Sequence, residues 1–185
     1  MKPPADLSPT VSYPRRVLVL HWLTVAALIT AAACILTRDE LSSRAWRGWL
    51  MEGHRHAGLI VLLLFAARVL VRLGLRRRPH DHGTAWPLRM VAGATHVVLY
   101  AMLLGMPLLG WALSSAQGHP VHFFGLTLPP LVGEDEDLAD TLQTWHVNAA
   151  WVLLGLICMH IGAALWHHFV LRDGVLRRML RSARP

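Results

Sequence analysis

The chain has 185 residues, 54% of them hydrophobic, with two cysteines and a formal net charge of +7. A basic soluble domain that binds nucleic acid would be polar, with its Lys and Arg spread over a face. Here the charges are confined to short segments between long apolar blocks, which excludes that reading. Cys34 and Cys158 stand singly inside apolar runs, with no C-x-x-C or C-x-x-C-H, so neither a disulfide framework nor a covalently attached haem fits.

Four blocks can cross a bilayer, each with about 20 or more residues, as a helical crossing of roughly 30 Å requires. They run from about Val17 to Thr37, Trp49 to Leu73, Leu88 to Leu113 and Leu142 to Leu171. The chain therefore reads as an all-α integral membrane four-helix bundle over 17–171, with an N-terminal tail (1–16) and a basic C-terminal tail (172–185).

The first block carries His21 and Trp22. Arg15 and Arg16 before it, and "AAAC" within it, give it some likeness to a signal peptide, but the run exceeds the usual apolar core of one. The second opens with His54 and His56. The third carries His96, and Gly105, Pro107 and Gly110 suggest a bend there, a feature that bundled membrane helices tolerate. The fourth carries His146, His160 and the pair His167–His168. Met102, Met106 and Met159 read as packing residues.

Charge sorts the segments. The two tails and the link between helices two and three hold fourteen basic residues, among them Arg68, Arg72 and Arg76–Arg78, against Asp6, Asp81 and Asp173. The opposite side holds Arg38, Arg44, Arg47 and Arg55 against eight acidic residues, five of them between Glu134 and Asp140. The positive-inside rule then places both termini in the cytoplasm. The acidic run "GEDED" (133–137) is expected to be a solvated loop.

Polar side chains inside hydrocarbon are costly and mark function. His146 and His160 are fourteen residues apart, about 21 Å along a helix, and project from nearly one face. They cannot share one metal ion, but each can hold one of two stacked centres. Two b-type haems, each gripped by histidines from facing helices, fit that separation. His54 or His56 is the partner for His146 on the outer side. His21 is the inner one, although its depth matches His167 or His168 at least as well as His160. A histidine at a helix end commonly sits in the headgroup zone, and this reading stays open for His96, His167 and His168.

At these residues the sequence resembles the bacterial cytochrome b561 family. The likeness covers about Tyr13 to Leu180 and rests on "LHWL", "HRHAG", "THVVLY", "GHPVHFFGLTLP", "WHVNAAWVLLGLICMH" and "ALWHHFVLRDGVLRRML" in that order. It implies two haem b groups and electron exchange with a membrane quinone in the bacterial inner membrane. By that resemblance the inner haem falls to His21 and His160. The outer haem falls to His54 and His146, because the family's ligand stands four residues before the glycine, here Gly58. Relatives are similar to a superoxide:ubiquinone oxidoreductase, in which the residue matching His167 lies at the cytoplasmic-side quinone site.

The expected activity is therefore membrane electron transfer from a periplasmic donor, superoxide or a protein, to ubiquinone, with lipid and quinone as partners and no nucleic acid. A cytochrome subunit relaying electrons between a partner dehydrogenase and quinone is the second expectation. A non-redox transporter or structural membrane protein is a third, of another class. Arg15, Arg16, Arg68 and Arg72 are expected to anchor to lipid headgroups or to balance haem propionates.

Overall fold

The computed structural model describes residues 14–74, 86–172, 176 and 179, with backbone alone at 87–89. Four helices dominate: α1 (Arg15–Glu40), α2 (Arg44–Gly74), α3 (Trp86–Ala116) and α4 (Glu136–Trp166). With 26 to 31 residues each, they are about 39 to 46 Å long, more than a hydrocarbon core of roughly 30 Å demands. All four are long and apolar enough to cross a membrane. Leu36, Leu63, Val97 and Trp151 are each more than half exposed. A water-soluble domain hides such side chains, whereas a bundle solvated by lipid presents them.

Neighbouring helices run antiparallel. His54 of α2 reaches Ala31 of α1, and Arg68 reaches Leu20. Phe65 of α2 meets Tyr100 of α3, and Leu113 of α3 packs near Leu142 of α4. One end of the bundle therefore gathers the starts of α1 and α3 with the ends of α2 and α4. It is termed the terminal end, and the opposite one the hairpin end.

Two apolar clusters hold the helices together. Ala27, Val61 and Leu103 join α1, α2 and α3 near mid-height, flanked by Leu28, Ile60, Leu64 and Phe65. Leu113, Ala116, Ala139 and Leu142 join α3 to α4 at the hairpin end. The backbone of α4 packs chiefly on α3, while α1 packs chiefly on α2. Side chains, not backbones, are what bring α4 close to α1 and α2.

Helix ends follow local chemistry. Asp135 caps α4, its Oδ1 accepting the Leu138 N–H at 2.8 Å, and Glu136 and Asp137 occupy the first turn, where the helix dipole favours anions. The acidic run expected as a loop thus starts the fourth helix, six residues earlier than Leu142. The helix α3 continues through Pro107, which lacks the N–H for a bond to Leu103. The hydroxyls of Thr24, Thr30 and Thr144 bond to carbonyls four residues back, which satisfies them without water.

Between α3 and α4 lies an antiparallel hairpin that the sequence did not announce, β1 (Val121–Phe123) and β2 (Leu126–Leu128), with Phe123 opposite Leu126. Its two turn residues, Phe124 and Gly125, both take positive φ, 46° and 86°, as a two-residue turn between twisted strands needs. Trp111 Nε1 donates to Pro129 O, and Ser115 Oγ accepts from Leu131 N, tying the loop back to α3.

After Trp166 the chain widens into a π-helical turn, His167–Leu171, closed by the Arg172 N–H on the His167 carbonyl. Arg172 is left-handed (φ 53°), which ends the helix. The basic link around Arg76–Arg78, most of the C-terminal tail and the first thirteen residues lie outside the described residues.

Candidate functional site

The histidines fall at two levels. His21 is six residues from the start of α1, and His160 is six residues from the end of α4. Their ring centroids are 6.4 Å apart. His54 and His146 each lie ten residues in from the starts of α2 and α4, with centroids 6.1 Å apart. Each pair thus spans the space between α4 and the α1–α2 pair, one toward the terminal end and one toward the hairpin end.

That spacing has a chemical meaning. A metal held between two imidazoles, at about 2 Å from each nitrogen, puts their centroids about 6.3 Å apart. Both pairs match. Among the described residues no three His, Cys, Asp or Glu side chains converge on a metal-sized site. Two imidazoles at that spacing suit a metal whose remaining ligands come from a macrocycle.

A shallow groove of about 280 Å³ on α1 and α2 is lined by Leu23, Ala26, Thr30, Ala57, Ile60 and Leu64, at heights between His21 and His54. Its α1 residues lie roughly 140° to 240° around the helix from His21, on the face away from that histidine. Gly155, with open space where a Cβ would stand, is likewise about half a turn around α4 from His146.

The hydrogen bonds separate His54 from His56. His54 Nδ1 lies 2.9 Å from the Ala31 carbonyl, which can only accept, so Nδ1 carries the proton and Nε2 keeps its lone pair. His56 also donates from Nδ1, to Glu52 O at 2.8 Å. Its Nε2 then accepts from the Phe124 N–H at 3.4 Å, and its ring stacks on Phe123. His56 is committed to the hairpin, whereas His54 faces His146.

His146 is half-buried, and its Nδ1 is shielded from solvent with no hydrogen-bond partner. Gly110 of α3 makes room for it: a Cβ there would stand 3.0 Å from His146 Cε1. In sequence this glycine reads only as part of the expected bend around Pro107.

His160 has a second neighbour. His96 of α3 sits edge-on to it, with centroids 5.5 Å apart, closer than two ligands on opposite sides of one metal would stand. His96 Nδ1 is 2.6 Å from Ala92 O, a bond within its own helix. The sequence alone assigns His96 no role, because its contact with His160 depends on how α3 packs on α4.

His167 opens the π turn at the end of α4, and His168 beside it has a buried Nδ1 without a hydrogen-bond partner. Nearby in the fold, Trp22 Nε1 donates to the Met179 carbonyl at 3.1 Å, tying that part of the C-terminal tail to α1 next to His21. Arg68 turns inward, with Nε and Nη2 both donating to Leu20 O at 3.2 and 3.0 Å, rather than outward to headgroups.

Comparison with known proteins gives the family. Residues 12–182 match the family described as prokaryotic cytochrome b561. The chain is 33% identical over 168 residues to a Yersinia pestis protein named probable superoxide oxidase CybB, covering 89% of this chain and 93% of that one. It is 30% identical to Escherichia coli cytochrome b561 homolog 1 over 167 residues, covering 87% and 92% respectively. It is also 30% identical to cytochrome b561 homolog 2 of the same organism, covering 86% of each. This chain belongs to the prokaryotic cytochrome b561 family, bacterial membrane cytochromes of electron transport that bind b-type haem.

Proposed function

We propose that the chain holds two b-type haems and passes electrons from outside the membrane to a quinone near the cytoplasmic face. The observation that carries this reading is the presence of two histidine pairs at axial-ligand spacing, one toward each end of the bundle. His54 and His146 would hold the outer haem, and His21 and His160 the inner. When bound, each haem supplies a reversible one-electron carrier.

The remaining roles fall to side chains. Ala31 fixes the tautomer of His54 through its carbonyl, and Gly110 leaves the space that the His146 ring fills. Arg15, Arg16, Arg68, Arg72 and Arg172 stand toward the terminal end, and Asp39, Glu40 and the acids from Glu134 to Asp140 toward the hairpin end. That asymmetry supports a bacterial inner-membrane protein with both termini in the cytoplasm.

For the reaction, two superoxide anions each lose one electron and leave as dioxygen, and ubiquinone takes up both electrons and two protons to become ubiquinol. His167, at the π turn on the terminal side, is the residue to hold the quinone and pass it a proton, since imidazole exchanges protons near neutral pH. Short π-helical turns are frequent at functional sites, which supports that placement. The name of the Yersinia relative supports the superoxide donor.

A specific observation favours a second reading for the donor. Arg55 and Arg38 are neutralised by Glu52 and Asp39, and the acidic start of α4 lies at the same end. Such a surface repels an anion and suits a docked redox protein, as in a subunit relaying electrons from a partner dehydrogenase.

Rapid mixing of the purified protein with superoxide, followed in the haem bands, separates the two. Fast reduction by superoxide alone, with ubiquinol formed at half the rate of superoxide loss, is the expected result. Reduction that appears only with a partner protein would replace the first reading by the second. A colourless protein without haem would sink both and leave a non-redox membrane role.

A further inference from the structure

Arginines lie toward both ends of the bundle, and they are compensated differently. Toward the hairpin end, Arg38 Nη1 lies 2.8 Å from Asp39 Oδ1, and Arg55 Nη1 lies 2.6 Å from Glu52 Oε1. Each is a guanidinium–carboxylate pair with no net charge. Toward the terminal end, Arg68 spends its Nε and Nη2 protons on the neutral Leu20 carbonyl, with the Tyr100 side chain as a further partner. Arg72 lies over the ring of the same Tyr100, 5.9 Å from its centroid. Among the described residues neither pairs with a carboxylate. Arg44 and Arg47, also at the hairpin end, are exposed and stand roughly 15 and 10 Å along α2 from His54. The difference is therefore one of depth: beside the His21–His160 level an inward-turned guanidinium keeps its charge, whereas Arg55, next to His54, is paired with Glu52.

The placement of Arg68 is specific. It lies six residues before the end of α2, the same depth from that end as His21 and His160. The carbonyl it grips belongs to the residue immediately before His21, and the same oxygen accepts from Thr24 Oγ1 at 2.8 Å. An arginine at such a depth ordinarily extends to the headgroups. This one is anchored inward, where the dielectric is low and mobile ions screen little.

We propose that Arg68 makes the His21–His160 centre the electron acceptor of the two, by raising its reduction potential above that of the His54–His146 centre. The inference rests on the two-haem reading above. Placing one electron at a centre lowers the positive charge there by one, and a fixed neighbouring cation stabilises that state. One electron leaves the hairpin-end centre, oxidising it, and reduces the terminal-end centre, with no bond made and no proton required. The outer one-electron donor refills the first centre, and the quinone drains the second. Arg68 acts as a positioning and electrostatic residue without touching substrate.

Anaerobic optical redox titration of the purified holoprotein tests this. His160→Ala is expected to remove the higher-potential component and His146→Ala the lower one. Arg68→Gln is expected to shift the higher-potential component down by at least tenfold in its reduction equilibrium, about 59 mV for one electron, while the other component moves little. Arg68→Lys, which keeps the charge, is expected to retain most of the wild-type potential, a rescue that a purely structural role would not produce. Loss of the lower component in His160→Ala, or an unmoved higher potential in Arg68→Gln, overturns the proposal. Where Arg68→Gln does not fold, the ligand variants can still overturn the proposal, and Arg68→Met, which also removes the charge, replaces it in the titration. A wild-type protein without two haems would refute the two-haem reading instead, a distinct result.

Discussion

His21 and His160 stand at equal depth from one end of the bundle, on α1 and α4, with their rings 6.4 Å apart. Neither helix backbone needs to touch the other for this to happen. The gap is bridged by side chains alone, and the same is true of His54 and His146. An interior arranged this way is a pair of cradles more than a packed core.

The first prediction follows from the separation of the two levels. His160→Ala and His146→Ala should each lose one haem and keep the other, because the two pairs share no side chain. Haem-to-protein ratios measured by pyridine haemochrome should fall from about two to about one, as bis-histidine ligation at each centre implies. Loss of both haems from either variant would show that the two sites are not independent.

Two neighbouring histidines on α2 should behave oppositely. His54→Ala should lose a haem. His56→Ala should keep both, since its two nitrogens already serve Glu52 and Phe124. Its cost should appear as roughly 0.5–1.5 kcal/mol of stability from the lost stacking on Phe123. Absorption spectra and thermal melts of the two variants provide the check, and haem loss in His56→Ala would reverse the ligand assignment.

Gly110 should tolerate no side chain without a response at His146. A methyl at 3.0 Å from Cε1 must push the ring, an overpacking worth about 1–3 kcal/mol. Gly110→Ala should broaden or weaken the spectral component that His146→Ala removes, and leave the other component intact. Gly105, where a Cβ would meet nothing within 4 Å, supplies the control: Gly105→Ala should leave both components unchanged.

His167→Ala should preserve both haems and slow quinone reduction by roughly 10²–10⁴-fold, the usual size of a lost general acid. Stopped-flow reoxidation of the reduced protein by a soluble ubiquinone measures it. A haem deficit in this variant would mean that His167, not His160, faces His21 as a ligand.

Much of this molecule was legible before any coordinates. Hydrocarbon demands about twenty apolar residues per crossing, so four such runs establish four spanning helices. The distribution of Arg between segments sets the expected orientation. The fourteen residues between His146 and His160 place two centres on one helix face because the rise and twist of an α-helix are constant. Boundaries were less legible. The acidic run reads as loop, yet Asp135 caps it and adds six residues to α4.

What only the tertiary structure decided is which side chains meet. His54 and His56 lie about 200° apart around α2, and nothing local to that helix says which face turns toward α4. The Ala31 carbonyl and the β1–β2 hairpin make that choice by drawing one nitrogen of each. The packing brings the His160 ring to 6.4 Å from that of His21, a pairing that depth along α4 alone left open. Arg68 looks in sequence like any cation near a membrane surface, and only the packing of α2 on α1 turns it toward Leu20. Depth along a helix is a property of the local chain; facing is a property of its neighbours.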